Sequence, residues 1–453
     1  MEIEARTMAR VTARLVPFLM LCYFVAYLDR VNVGFAALQM NSALGLSAST
    51  FGLGAGIFFI AYFFFEVPSN LLLEKFGARR WIARIMFTWG ILAGAMAFIP
   101  DIAKFTGMSP ANVFITLRVL LGIAEAGFFP GIIFLLTLWF PAAYRGRVVG
   151  YFMAAIPLST VIGGPISGAL LQMDGVAGFA GWQWLYLIEA IPALILTFFV
   201  LGYLTDKPSD AKWLANDERE WLVSRQQRER IQREAVRSFS VREALINPRV
   251  LAIALIYFGA NATNYGLSFF LPTIVKGFGL TNVQTGFVTS LPYIVGVIGM
   301  VVWGRRSDRK LERKRHVAIA LIVAAAGIGA AAGLSNPVLK MTALSIAGFG
   351  IFGCLPVIWT LPAAFLSGAA AAGGIAAVNS LGNLSGFFGP YVMGWIKDST
   401  GSFSLGLLCL AGAGLVGAGA ALLLHHDQGL ESTPGALRPQ AAGGNANANA
   451  LES

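Results

Sequence analysis

The sequence predicts an all-α integral membrane protein of twelve transmembrane helices, arranged as two pseudo-symmetric six-helix bundles. Three observations lead there. Of the 453 residues, 57% are hydrophobic and only 12% charged, roughly half the charged fraction of a soluble globular chain. Apolar runs of spanning length recur twelve times, with one long polar stretch after the sixth. The halves so divided repeat short motifs about half a chain apart.

The spans are expected at 15–36, 51–73, 82–99, 112–138, 148–170 and 184–204, then at 250–271, 286–304, 317–334, 342–365, 374–395 and 403–424. Roughly 20 residues at 1.5 Å each cross a hydrocarbon core, and backbone groups in lipid must bond within their own helix. Arg6, Arg10 and Arg14 before the first run imitate the start of a signal peptide, but no small-residue cleavage site follows, so a retained first helix is expected. That span carries "YFVAYLDRVNVGF" (23–35), in which Asp29 and Arg30 adjoin. A charge at the bilayer centre costs about 2.5–3.5 kcal/mol on insertion scales, so the pair needs an explanation.

Further ionisable residues fall well inside spans: Glu66 in the second, Arg118 and Glu125 in the fourth, and Glu189 in the sixth. All belong to the first half. The second half offers Tyr257, Asn261, Asn264 and Tyr265 in span seven, Trp359 in span ten, and Asn379 and Asn383 in span eleven. Spans five and eleven hold "VIGGPISGALL" (161–171) and "GFFGPYVMGW" (386–395), whose glycines permit close helix contact and whose prolines mark bends. After spans two and eight come "NLLLEKFGARR" (70–80) and "GRRSDRK" (304–310), each placing an acid beside a base, Glu74–Lys75 and Asp308–Arg309. A six-plus-six duplication follows. The expected division is 1–204 for the first bundle, 205–249 for a polar linker, 250–424 for the second bundle and 425–453 for a disordered tail. Within the linker, Trp213, Leu214, Trp221 and Leu222 are spaced for a short amphipathic helix on the membrane surface.

The net charge of +10 is a matter of topology rather than nucleic-acid binding. With a cytoplasmic N-terminus, only Lys104, Lys276, Lys340 and Lys397 fall on the far face, and Arg30 and Arg118 lie within spans. The remaining Lys and Arg are cytoplasmic. This bias puts both termini in the cytoplasm. Cys22, Cys354 and Cys409 fall in spans and are expected as small packing residues, not a disulfide framework or metal site. His316, His425 and His426 lie in loop or tail, so any proton relay must use carboxylates. No nucleophile–base set, metal-spaced cluster or phosphate loop appears, so neither an enzyme nor a cofactor is expected.

Helical geometry sorts the charges. Arg30 shares a stripe with Tyr23, Tyr27 and Gly34, whereas Asp29 shares one with Cys22 and Val33; Arg118, Gly122, Glu125 and Phe129 share another on span four. An arginine stays protonated and presents a planar fork suited to a carboxylate, so Arg30 and Arg118 are candidate anion ligands. Asp29 and Glu125 can change charge, as a coupling site requires. Glu66 is expected in a structural pair, and Glu189 in an interfacial or helix-pairing role near the outer end of span six. Tyr62 and Trp359 are either core aromatics or cavity residues. Asn379 is expected to be mainly structural and Asn383 the better ligand.

Five segments carry a resemblance to a known family: "YLDRVNVGFA" (27–36), "YFFFEVPSNLLLEKFGARRW" (62–81), "RVLLGIAEAGFFPG" (118–131), "DAKWLANDEREWL" (210–222) and "GNLSGFFGP" (382–390). With them the chain resembles the major facilitator superfamily, and more narrowly its anion:cation symporter family. It departs from the superfamily's turn motif at Asn70, where glycine is common, and at Glu74, where aspartate is usual. The resemblance implies a cavity ringed by spans one, four, seven and ten. It implies proton coupling at Asp29 and Glu125, and substrate contact at Arg30, Tyr27, Tyr62 and Asn383, with Trp359 and Asn379 nearby. Arg118 either binds the anion or tunes Glu125. Glu74, Lys75 and Arg79 with Asp308 and Arg309 would latch the cytoplasmic side of an outward-open state. The expected protein is thus a monomeric inner-membrane symporter that takes up a proton with a small organic anion such as tartrate, a sugar acid or an aromatic carboxylate. Sodium coupling, a drug or metabolite antiporter and a non-transporting sensor are the alternatives.

Overall fold

The computed structural model describes residues 2–234, 247–310, 312–361 and 369–424. The expected tail, 425–453, and the end of the linker, 235–246, lie outside the described residues. Among the described residues, eleven helical segments are long and apolar enough to cross a membrane. They are α1 (Glu2–Leu44), α2 (Ala48–Phe76), α3 (Ala78–Thr106), α4 (Pro110–Trp139), α5 (Ala143–Met173), α6 (Gly181–Tyr203), α7 (Pro248–Lys276), α8 (Asn282–Lys310), α9 (Lys314–Gly333), α10 (Pro337–Ile358) and α12 (Ser404–Leu423). The eleventh expected span, here α11, is built from two shorter helices, Ala369–Asn383 and Ser385–Thr400, which meet at Leu384. Neither piece alone, at 15 and 16 residues, is long enough to cross a bilayer.

The ends are set by local chemistry. Ser47, Ser109, Asn247 and Asn336 cap α2, α4, α7 and α10 by accepting backbone N–H bonds, as short polar side chains do at helix starts. Within α4, regular helix stops at Glu125 and resumes at Phe128, because Ala126 is extended (ψ 131°) and Gly127 takes φ 87°. Only glycine adopts that backbone without strain.

The first six helices meet the last six most closely at the end away from the termini. There α2 packs on α11 and α5 on α8. A Cβ on Gly56 would lie 2.8 Å from the Phe387 carbonyl oxygen, and one on Gly164 would lie 2.8 Å from both the Gly286 carbonyl oxygen and Ser290 Oγ. Missing side chains let the backbones touch. Asp398 of α11 also caps the start of α2, accepting from the Ala48 and Ser49 N–H groups at 3.0 and 2.7 Å. This end is sealed.

At the terminus-bearing end lies the linker helix, Asn216–Glu234. Its buried Glu218 accepts from Arg10 (2.6 Å) and Arg6 (3.0 Å) of α1, while Trp213, ahead of the helix, stacks on Trp139 with ring centroids 5.3 Å apart. Trp213 and Leu214 thus precede the helix that Trp221 and Leu222 join. Two smaller expectations change. His316 is not in a loop but buried in the first turn of α9, and Cys409 faces outward rather than into the packing.

Candidate functional site

Arg30 is central. It sits two-thirds of the way along α1 and is 7% exposed. Its guanidinium forms an ion pair with Glu125 and donates to the Tyr265 hydroxyl at 3.2 Å. It also lies over the rings of Phe58, Tyr62 and Tyr27, 5.2, 5.6 and 5.7 Å from their centroids. Aromatic faces favour a cation electrostatically, which helps hold the charge in a dry site. The break in α4 directly after Glu125 ends that helix at the level of Arg30, so the carboxylate meets the guanidinium from the neighbouring helix.

Around Arg30 is a cavity lined by Tyr23 and Tyr27 of α1, Tyr62 of α2, Phe129 of α4, Met153 and Ile156 of α5, Tyr257, Asn261, Asn264 and Tyr265 of α7, Leu355 of α10, and Asn379 and Asn383 of α11. Its free volume is ≈ 20 Å³, room for about one water molecule. Asn264 donates to the Tyr27 hydroxyl at 2.9 Å, tying α7 to α1. Asn261 donates to Asn383 (3.2 Å), Asn383 to Asn379 (3.3 Å), and Asn379 to Glu66 of α2 (2.8 Å).

Of the expected substrate contacts, Arg30, Tyr27, Tyr62, Asn379 and Asn383 line this cavity. Two do not. Arg118 is fully buried behind Glu125, and its guanidinium donates to the backbone carbonyls of Gly54 (3.1 Å) and Ala55 (3.0 Å) in α2. In this state it braces α2 against α4 rather than facing an anion. Trp359, at the end of α10, touches the cavity through Tyr257, with ring centroids 4.9 Å apart. Asn379 makes both a cavity wall and an interhelical bond.

The two expected coupling acids separate. Glu125 reaches Arg30, while Asp29, one residue before Arg30, points the other way around α1. One of its oxygens accepts from Trp89 Nε1 of α3 at 2.7 Å, and the other has no hydrogen-bond partner. Asp29 is 4% exposed, Arg118 1% and Glu125 2%, so none faces lipid. Of the two roles expected for Glu189, the structure has the helix-pairing one: it is 3% exposed and accepts from Ser167 of α5 at 2.6 Å. Glu66 is paired, but across the halves, with Ser380 adding a 3.2 Å bond to that of Asn379.

The expected gate is not assembled here. Asp308 pairs with Arg313 of its own half. Arg79 is held by its own half too, its N–H bonded to Asp206 (2.7 Å) and its guanidinium to the Leu201 carbonyl (3.4 Å). Glu74, Lys75 and Arg309 are exposed. A latch belonging to a state closed at the terminus-bearing end has no reason to form in one sealed at the opposite end.

Sequence reasoning passed over Trp89 as the partner of Asp29, and Tyr23, Phe129, Met153, Ile156 and Leu355 as cavity wall. For Tyr265, a signal existed: Tyr257, Asn261, Asn264 and Tyr265 recur at helical spacing on an otherwise apolar segment.

Comparison with known proteins fixes the family. The model described as Major Facilitator Superfamily matches residues 19–390. A protein of Agrobacterium vitis named "Putative tartrate transporter" is 53% identical over 93% of this chain and 92% of its own. A "Quinolone resistance transporter" of Acinetobacter baumannii is 42% identical, covering 91% and 93%. The solved structure of the xylose transporter XylE from E. coli, in a partially occluded inward-open conformation, shares the fold at a TM-score of 0.70 and 13% identity, over 90% of this chain and 96% of that one. The chain is therefore a membrane transporter, not an enzyme, and belongs to the major facilitator superfamily.

Proposed function

We propose that the protein takes up a small organic anion together with a proton, by alternating access, as a monomer in the bacterial inner membrane with both termini cytoplasmic. The observation that carries this is the Arg30–Glu125 ion pair beside the cavity that Arg30 lines. Arg30 directs one terminal nitrogen to Glu125 and the other to the Tyr265 hydroxyl, so a substrate carboxylate that takes the terminal fork competes with Glu125 for the same nitrogen. A substrate carboxylate that takes Arg30 displaces Glu125, which is then a buried charge without a partner, at a cost of several kcal/mol. Taking up a proton removes that cost. Anion binding and proton binding thereby become one event, and the site closes only when both are present. Asp29, on the far side of α1, senses the same movement through its bond to Trp89 and serves as the second coupling acid.

The tyrosines and asparagines around Arg30 suit hydroxyls or an aromatic ring on the same anion. One relative's name points to tartrate, a dicarboxylate, which supports an organic anion. The terminus-bearing end is taken as cytoplasmic on the Lys and Arg bias, which makes this the state closed to the outside.

The test is uptake of labelled tartrate into proteoliposomes under an inward proton gradient. Arg30→Gln is expected to abolish it, and Glu125→Gln to abolish accumulation while leaving tartrate exchange. If Glu125→Gln accumulates tartrate uphill with the parental pH dependence, the coupling is assigned to the wrong residue.

A further inference from the structure

Among the described residues, one charged side chain forms hydrogen bonds between the halves on the terminus-bearing side of the cavity: Glu66. It lies one helical turn beyond the cavity residue Tyr62 on the same face of α2. It is 4% exposed, and both its oxygens are engaged by α11, one by Asn379 at 2.8 Å and one by Ser380 at 3.2 Å. The surface gate further out is unassembled, so this is the innermost polar tie between α2 and α11 on that side.

The tie is wired to the cavity. Asn261, Asn383 and Asn379 each pass an amide N–H to the next carbonyl oxygen, and the series ends on Glu66. Asn379 turns its amide nitrogen to Glu66 and its oxygen to Asn383, which sets the direction of the series. The longest link, 3.3 Å between Asn383 and Asn379, lies beside the cavity. Asn383 also sits at the joint between the two helices of α11. A ligand oxygen that draws the Asn383 amide toward itself breaks the weakest link and changes how firmly Asn379 is held against Glu66.

We propose that Glu66 is a positioning residue that latches α2 to α11 on the exit side, and that the asparagine ladder transmits cavity occupancy to this latch. The inference rests on the transport reading only for what fills the cavity.

It is tested without any substrate. In a background with Cys22, Cys354 and Cys409 replaced by alanine, Ile156→Cys places a thiol in the cavity wall. At 1.5 Å per residue that position is about 20 Å from the terminus-bearing end of α5, deeper than Glu66 at about 15 Å along α2. The readout is its rate of labelling by a charged, membrane-impermeant maleimide applied from the terminus-bearing side. Glu66→Ala is expected to raise the rate on the order of ten-fold, the scale of losing hydrogen bonds to a charged group. Glu66→Gln keeps an oxygen for Asn379 and an amide for the Ser380 hydroxyl, so it stays within about two-fold of the parent. Ser380→Ala, which removes one bond to Glu66, and Asn383→Ala, which removes both of its ladder bonds but none to Glu66, fall between, at roughly three-fold.

A parental rate in Glu66→Ala overturns the latch. An equal rise in Glu66→Ala and Glu66→Gln overturns it too, since the charge and not the bonds would then matter. A parental rate in Asn383→Ala overturns the ladder. Should Glu66→Ala fail to fold, Ser380→Ala and Asn383→Ala decide the question. Failure of the anion reading appears elsewhere, as a parent protein that binds no tartrate, and leaves these rates meaningful.

Discussion

The seal at the end away from the termini depends on glycine, and Gly164 allows its weight to be worked out. A methyl group there would stand 2.8 Å from the Gly286 carbonyl oxygen and from Ser290 Oγ, well inside ordinary van der Waals contact. Carbonyl backbone does not rotate away, so α5 and α8 must part by about half an ångström. Overpacking of this kind costs about 1–3 kcal/mol. That cost falls only on the state in which the two helices touch, so Gly164→Ala should shift the balance toward the state open at this end by roughly 5- to 150-fold. Gly412 on α12 supplies the control, because a Cβ there meets nothing within 4 Å. Spin labels at Gln172→Cys and Thr281→Cys, both exposed at the sealed end, report the separation of α5 from α8 by pulsed dipolar spectroscopy. The expected result is a new longer-distance population in Gly164→Ala and the parental distribution in Gly412→Ala. Identical distributions in the two variants would show that the contact does not set the conformational balance.

Three other outcomes follow from the site. Arg30→Lys keeps the charge but loses the fork, so tartrate affinity measured by calorimetry should fall at least about ten-fold. Arg118→Gln removes bonds to the Gly54 and Ala55 carbonyls, remote from the cavity wall, so it should lower the melting temperature in detergent while tartrate affinity stays within about two-fold. Trp89→Phe takes the hydrogen bond from Asp29 and should cost about 1–3 kcal/mol of stability. In a double-mutant cycle with Asp29→Ala, which removes the acceptor, that cost should shrink markedly, and strict additivity would show that the contact has no energetic content.

Much of this was legible in the chain itself. The spans could be placed because solvation in lipid demands long apolar helices, a property of each segment alone. The burial of Asp29, Arg30, Arg118 and Glu125 followed for the same reason: charges in a span avoid lipid wherever they can. Even the opposite headings of Asp29 and Arg30 came from the 100° step of one helix. The eleventh span shows where such reasoning is strained: its proline marks a bend at 390, yet the two helices meet at Leu384, ahead of it.

What a helix faces is another matter, because a neighbour's identity is not written in local periodicity. Arg118 and Arg30 look alike as isolated arginines in apolar spans, and either suits a carboxylate. Packing alone decides that one braces α2 and the other reaches the cavity. The same holds for Glu66, a plain structural acid by sequence, which tertiary contacts set 313 positions away in sequence from Asn379 and within 2.8 Å in space. Sequence fixed the helices and their charges because those depend on each residue and its solvent; the partners were decided only when twelve helices closed on one another, since that choice depends on all of them at once.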